Sequence, residues 1–390
     1  MKTRYAFLAV SRISAAILQT LALLLLARWS NPATFGLVAA FLGALMFASA
    51  ATNLGLANYV SRARALNKTS ELVPAAVLLN RYTSLLLAIG GTGIGIWMGL
   101  STPLAILISI STALDKNSDT TTSVLIADRS FTAPSFVMLL RRSISFIVLP
   151  ALYLAAAPFA VEMIFAAGLL MGSLVGNLVA HLAVRREIDW SSRASLRTVF
   201  REARPFWIAL IGNQLKELHP TVVLFAAGPH IGGLFSAALR FTRPMVLLAG
   251  FAAQLLLPAV SRRGETGWSA AKGVAFTSLA TTMVLVVALP FIPWVIDVIV
   301  GAGYEEAVLP TQILLLGSPV VASAVPLGAI LQGQGLVRES ALLSFSFGAL
   351  TLIVLVIVST TGDGTSAALT VVLTSLSQVV IQLFLAWRTK

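Results

Sequence analysis

Apolar residues in this chain come in long runs, and polar residues collect at fairly regular breaks between them. A helix needs about 20 mainly apolar residues to cross a bilayer. Divided at charged and Pro- or Gly-marked breaks, the chain gives twelve such stretches, near 5–28, 35–60, 74–100, 103–127, 133–156, 159–184, 205–228, 231–258, 270–296, 307–333, 337–359 and 364–387. The pattern predicts an all-α polytopic membrane protein with about 12 transmembrane helices, because in lipid each segment must satisfy its own backbone amides. Arg12 interrupts the first run and no small-residue cleavage site follows it, so this stretch reads as a span and not as a cleaved leader.

Composition agrees. Of the 390 residues, 57% are hydrophobic and 11% are charged, whereas a soluble domain carries about a quarter charged residues. The soluble class is excluded. The 27 Lys and Arg outnumber the 15 Asp and Glu, for a net charge of +12. In a soluble protein that excess would suggest nucleic acid; here it is first a topology signal, and no nucleic-acid partner is expected. With the N-terminus in the cytoplasm, 18 basic residues fall in cytoplasmic loops and tails, among them Arg62, Arg64, Lys68, Arg129, Arg185, Arg186, Arg193, Arg197, Arg201 and Arg204. The opposite loops hold only Arg28, together with Asp297, Glu305, Glu306 and Asp363. Short basic loops resist translocation, so both termini are expected inside. Trp29, Trp97, Trp207, Trp294 and Trp387 lie at expected span ends, as an aromatic belt requires.

Cys is absent and there are three His, which argues against disulfides, thiolate metal sites and a metal enzyme. No cofactor is expected beyond a coupling H+ or Na+. Every outer loop is shorter than a dozen residues, so no outer domain is available for a transferase or ligase site, and a non-enzyme is expected. The one long connection, 185–204, carries Arg193, Arg197, Arg201 and Arg204 at helical spacing opposite Leu196, Val199 and Phe200. It reads as a basic amphipathic linker on the anionic inner leaflet, or simply a tether, between an N-terminal six-helix lobe (1–184) and a C-terminal one (205–390).

The lobes echo one another at a shift close to 200 residues. Val60-Ser61-Arg62 closes the second span and Val260-Ser261-Arg262 the eighth, while Phe35-Gly36-Leu37 and Gly233-Leu234-Phe235 open the same two spans. Six helices per half imply pseudo-symmetric lobes related about the membrane normal, with a central cavity between them, as in transporters that rock about a midplane site.

Eight basic residues remain inside spans: Arg12, Arg81, Lys116, Arg141, Arg142, Lys216, Arg240 and Arg243. At roughly 2.5–3.5 kcal/mol each near the bilayer centre, these cations facing lipid would cost on the order of 20 kcal/mol, so they must face protein or water. Arg12 and Gln19 share one face of the first span; Asp115 and Asp119 share one on the fourth, with Lys116 beside it. Asn213, Gln214, Lys216, Glu217 and His219 cluster on the seventh, and Arg240 and Arg243 precede Pro244 on the eighth. Arg141 and Arg142 lie eight or nine residues inside the fifth span from its cytoplasmic end, and snorkelling to the interface is expected over a lumen role; Arg81 has a similar depth and stays open between the two. Arg12, Gln19, Arg81, Lys116, Asn213, Gln214, Lys216, Arg240 and Arg243 are the candidate substrate contacts. Asp115 and Asp119 either neutralise Lys116 or Arg12 or bind a coupling ion, and Glu217 is a further candidate for the coupling ion. A net-positive lumen favours an anion, since Arg engages phosphate through a planar fork.

The segment Leu23-Leu24-Leu25-Leu26-Ala27-Arg28, followed by Asn31-Pro32-Ala33-Thr34-Phe35-Gly36 and Asn53-Leu54-Gly55-Leu56, resembles the opening of the oligosaccharide-lipid (O-antigen type) flippases. These are polysaccharide transporters of the multidrug/oligosaccharidyl-lipid/polysaccharide exporter superfamily. Gly233-Leu234-Phe235-Ser236-Ala237-Ala238, Gly301-Ala302-Gly303-Tyr304-Glu305-Glu306-Ala307 and Gly333-Gln334-Gly335 extend the likeness over nearly the whole chain. The resemblance implies two lobes that move an undecaprenyl-pyrophosphate-linked oligosaccharide to the outer leaflet by alternating access, with lumen arginines on the first and eighth helices, where Arg12 and Arg240 fall. It also implies membrane lipids, glycosyltransferases and a polysaccharide polymerase as surroundings. Phe235 stands where the family has Tyr, and 390 residues leave no room for an extra helix pair, which argues against a peptidoglycan-precursor flippase. The rivals are a multidrug or cation antiporter of the same superfamily, expected to have an acidic cavity, and a membrane-embedded polymerase, expected to have a catalytic pair near the outer face.

Overall fold

The computed structural model describes residues 2–66, 71–155, 158–188, 190, 194–262, 267–360 and 362–388. Lys68, Arg193, Arg263 and Lys390 of the cytoplasmic basic set lie outside the described residues.

Local chemistry decides where the long helices begin. After α1 (Lys2–Trp29), the Asn31 side chain accepts from the Thr34 amide at 2.8 Å, and Pro32 opens α2 (Pro32–Asn53) at a position whose missing N–H costs nothing. Helix α2 stops at Leu54 and Gly55, both left-handed (φ 54° and 73°), and the chain resumes as α3 (Leu56–Leu66). There follow α4 (Leu72–Trp97), α5 (Thr102–Ala127), α6 (Thr132–Leu154), α7 (Val161–Val184) and α8 (Leu196–Gln214). A 3-10 turn, Leu215–Leu218, leads to α9 (His219–Ala227), and α10 (Pro229–Arg240) is bent by 48° from α11 (Arg243–Arg262). The chain ends with α12 (Gly267–Ala288), α13 (Ile292–Ile299), α14 (Val308–Gly333), α15 (Val337–Ser359) and α16 (Gly364–Arg388).

Among the described residues all regular structure is helical. Nine segments are long and apolar enough to cross a membrane, ten with the bent α10–α11 pair. The other two expected spans fall short for visible reasons: α5 carries Asp115, Lys116 and Asp119, and the seventh is broken between α8 and α9. Large apolar side chains point outward along whole faces. On α12, Phe276, Leu279, Met283, Val284 and Val287 are all exposed at helical spacing, as a lipid-facing surface requires.

The chain forms two compact units, 1–29 with 41–217, and 30–40 with 218–390. The division falls at Glu217/Leu218, later than the expected 184/205, because α8 belongs to the first unit. Val199 and Ala203 are fully buried against α3 and α4, so the basic stretch expected on the leaflet packs one face on protein while Arg197, Arg201 and Arg204 stay exposed. In this unit α5 packs against α3, α4 and α7, and α1 against α6 and α7.

In the second unit α14 is the central helix, packed by α10, α11, α12, α15 and α16. Pro319 within α14 frees the carbonyl of Leu315, and the Ser318 hydroxyl donates to it at 2.7 Å. The opening turns of α2 lie in this unit. A Cβ on Gly36 would overlap the Pro229 carbonyl and Gly233, and one on Gly233 would overlap the Pro32 carbonyl. The two segments that echo each other in sequence therefore meet backbone to backbone, at the closest approach that small residues allow.

Candidate functional site

A cavity of about 330 Å³ lies wholly within the first unit, at the low end of ligand-site volumes. Gln19 of α1, Asn53 of α2, Asp115, Lys116 and Asp119 of α5, Arg142 of α6 and Gln214 of α8 supply its polar wall. Leu23, Leu42, Met46, Phe165, Leu169 and Leu210 supply the apolar one.

Three helices hold the charges. On α5, Asp115 and Asp119 are one turn apart and present both carboxylates to α6. Arg141, buried at 3% exposure, places one guanidinium nitrogen 2.7 Å from Asp119 Oδ1 and the other 3.3 Å from Asp115 Oδ1, and donates to the Asp115 main-chain carbonyl at 3.0 Å. Arg142 reaches Asp115 Oδ2 at 2.9 Å. The Ser173 hydroxyl of α7 donates to Asp115 Oδ1 at 2.7 Å. The arginines expected to snorkel thus turn inward, and the carboxylates pair with them and not with Lys116 or Arg12. The reason is a flat strip on α7: a Cβ on Gly172 would overlap the Arg141 carbonyl, and one on Gly176 would overlap Arg141 Cγ, so the aliphatic stem fits only where side chains are missing.

Lys116 is 4% exposed and its ammonium has neutral partners: Thr83 Oγ1 at 2.6 Å, Ser84 Oγ at 3.3 Å and the Asn80 carbonyl at 3.5 Å. Beside it runs a chain of amides, in which Asn80 donates to Asn117 at 3.3 Å and Asn117 to Asn177 at 2.8 Å, joining α4, α5 and α7.

The structure brings Gln19, Asp115, Lys116, Asp119 and Gln214 of the expected set together at this cavity. Arg12, half-buried, is two helical turns from Gln19 on α1. Arg81 lies outside the cavity lining: its guanidinium sits 3.2 Å from His181 Nδ1 and 4.8 Å over the Trp190 ring. The side chain of Asn213 lies outside the described residues. In the turn after α8, Lys216 is exposed and Glu217 is 7% exposed. Arg240 and Arg243 belong to the second unit and flank the α10–α11 bend, Arg240 at the α10 C-terminus, where the helix dipole favours a cation. Sequence reasoning missed Arg142 and Asn53 as cavity groups and Ser173 as a partner of Asp115. The repeat Gly168, Gly172, Gly176, one glycine per turn of α7, was the readable signal that a neighbour approaches there.

No known family's sequence profile matches the chain, and no curated protein matches it either. Solved structures do. An inward-facing multidrug-resistance MATE family transporter of the MOP superfamily superposes with a TM-score of 0.72 at 16% identity, covering 97% of each chain. An outward-facing one gives 0.69 at 15%, over 99% of this chain and 95% of that one. A MOP superfamily transporter from Pyrococcus furiosus, described as having a binding pocket of reversed polarity that suggests a different function, gives 0.67 at 14%, over 99% and 95%. With two compact helical units and apolar spans throughout, the chain has the fold of the MATE transporters of the MOP superfamily.

Proposed function

We propose that this protein is a non-enzymatic membrane transporter that moves an undecaprenyl-pyrophosphate-linked oligosaccharide across the bacterial cytoplasmic membrane by alternating access, for assembly of surface polysaccharide. One observation carries the reading. Lys116 and Arg142 in the cavity wall, with buried Arg141 behind it, make three cations that stand against two carboxylates, Asp115 and Asp119. A fixed cation excess in a low-dielectric site favours phosphate over an organic cation. Lys116 has no carboxylate among its described partners, so its ammonium can be recruited by a phosphoanion without breaking an ion pair. Gln19 and Gln214 offer neutral amides for sugar hydroxyls. In this reading Arg12 and Lys216 of the first unit, and Arg240 and Arg243 of the second, are further anion contacts, polysaccharide-assembling glycosyltransferases and a polymerase act before and after transport, and H+ or Na+ is the coupling ion.

A second reading, a multidrug or cation antiporter, is favoured by the Asp119 side chain, which is 59% exposed at the cavity, and by the fold shared with multidrug transporters. Reconstituted vesicles decide between them. A fluorescent short-prenyl pyrophosphate disaccharide should become accessible to dithionite on the far leaflet faster with the protein than without it, and Lys116→Gln should slow this about tenfold or more, the rate equivalent of about 1.4 kcal/mol. Efflux of ethidium with no movement of the lipid-linked probe would instead establish the antiporter.

A further inference from the structure

Two adjacent arginines on α6 are held in different ways. Arg141 is anchored twice independently of the Asp115 carboxylate, by Asp119 at 2.7 Å and by the Asp115 main-chain carbonyl at 3.0 Å. Its side chain is 4% exposed. Arg142 is 18% exposed, lines the cavity, and has one carboxylate within ion-pairing distance among the described residues, Asp115 Oδ2 at 2.9 Å. Asp115 is therefore a tethered anion that already occupies the cavity-facing cation.

We propose that Arg142 is an anion-binding residue kept in reserve by Asp115, so that a phosphate-type anion and one proton enter this cavity together. An incoming anion and an ionised Asp115 compete for one guanidinium. When Asp115 Oδ2 takes a proton, the Arg142 pair is broken and its fork turns to the ligand, while Arg141 stays on Asp119 and the lattice of helices is kept. The other groups around Asp115 leave this intact. On α5 itself Lys116 turns away to Thr83 and Ser84 of α4, and Asp119 remains on Arg141. On α7 the nearest partner is the non-titrating Ser173, while His181 is engaged by Arg81 of α4. On α3, Arg64 is tied to Asp128, 13 residues and about 20 Å further along α5. Linkage is reciprocal: whatever protonation adds to anion affinity, the anion adds to proton affinity.

This deepens the transport proposal and rests on its anionic substrate. The test uses the full chain in zwitterionic nanodiscs, with inorganic sulfate and dihexanoylphosphatidylglycerol as probes whose charge is constant between roughly pH 5 and pH 8. Affinity for sulfate should rise as pH falls, by up to about tenfold per pH unit, with one proton taken up per anion bound. Asp115→Asn should bind with the low-pH affinity at every pH, and Arg142→Gln should bind about tenfold or more weakly throughout. Binding of both probes assigns the site to the oxyanion alone; binding of the lipid probe only assigns it to a headgroup with its tail. Affinity that ignores pH in the wild type, or an unchanged pH slope in Asp115→Asn, overturns the linkage but leaves an anion carrier. No binding of either probe by any variant overturns the linkage and the anionic substrate together. Proton uptake by the wild-type protein, read with a pH indicator, decides the matter even where Asp115→Asn fails to fold.

Discussion

Asp115 accepts from two arginines and a serine, and that density makes single residues decisive in the first unit. Breaking a buried ion pair by removing one partner costs about 3–5 kcal/mol, because the other charge is left without compensation. Arg141→Met leaves Asp115 with Arg142 and Ser173 and leaves Asp119, 59% exposed, to water, so the loss should fall below that range, at about 1–3 kcal/mol by denaturant unfolding in micelles; an unchanged midpoint would mean the network is solvated. Gly176→Leu tests the same network from its apolar side. A side chain there overlaps the Arg141 stem, so Arg141 must leave α7, and the variant should fold poorly or lose its ion pairs, whereas Gly90→Leu, with open space at that position, should be tolerated. Gly176 was readable as one of three glycines spaced by four; that its occupant is a charged side chain was not, since the glycine repeat says only that something comes close.

At the scale of elements, the junction of α2 and α3 is where α8 is fastened. A Cβ on Gly55 would lie 2.5 Å from the Trp207 amide nitrogen, the Trp207 indole donates to the Ala51 carbonyl at 2.8 Å, and Tyr59 donates to Glu202 at 2.9 Å. Replacing Gly55 by Ala adds both a clash and a strained left-handed backbone, so a loss of about 1–3 kcal/mol is expected, against about 1 kcal/mol for Trp207→Phe. Equal effects from the two would place the strain elsewhere. The same logic of caps applies to α16, where Asp363 accepts from the Thr365 and Ser366 amides at 3.1 and 3.0 Å. The Ser366 amide first, then the Thr365 and Ser366 side chains, hold its carboxyl below the usual carboxylate range against an opposing effect of burial. The cap is present above the unfolded-state value and is lost as pH falls through the lower folded one, so Asp363→Ala should cost roughly 1 kcal/mol at neutral pH and nothing in strong acid. The apolar-run pattern located α16 within a residue, but it merged α2 and the start of α3 into one span, 35–60, because the left-handed turn at Leu54 and Gly55 does not interrupt the apolar run. It did not foresee that the basic connection and the first part of the seventh span form one helix, because Leu196, Val199 and Ala203 are as suited to a protein neighbour as to a leaflet.

For the whole molecule, the 18-to-1 distribution of loop cations predicts that both termini are cytoplasmic. The absence of Cys allows a direct check by single-cysteine labelling of intact cells. Asp363→Cys should react with an impermeant maleimide and Ser195→Cys should not; the reverse pattern would invert the topology and, with it, the side from which substrate is loaded.

The residue pattern alone determined that the chain is helical and polytopic and that its in-span charges must be sheltered. Each of these follows from the cost of exposing an amide or a charge to hydrocarbon, which any arrangement must avoid. The pairing of the charges was decided only by tertiary structure. Asp115 and Asp119 could neutralise any cation brought near them, and nothing in their spacing prefers Arg141 and Arg142 over Lys116 or Arg12. The choice was made by the glycine strip of α7, which admits α6 closely enough for Arg141 to turn inward, and by Thr83 and Ser84 of α4, which take the ammonium of Lys116. The result is one cation fixed, one held in reserve and one among neutral oxygens, and that arrangement sets what the cavity can bind.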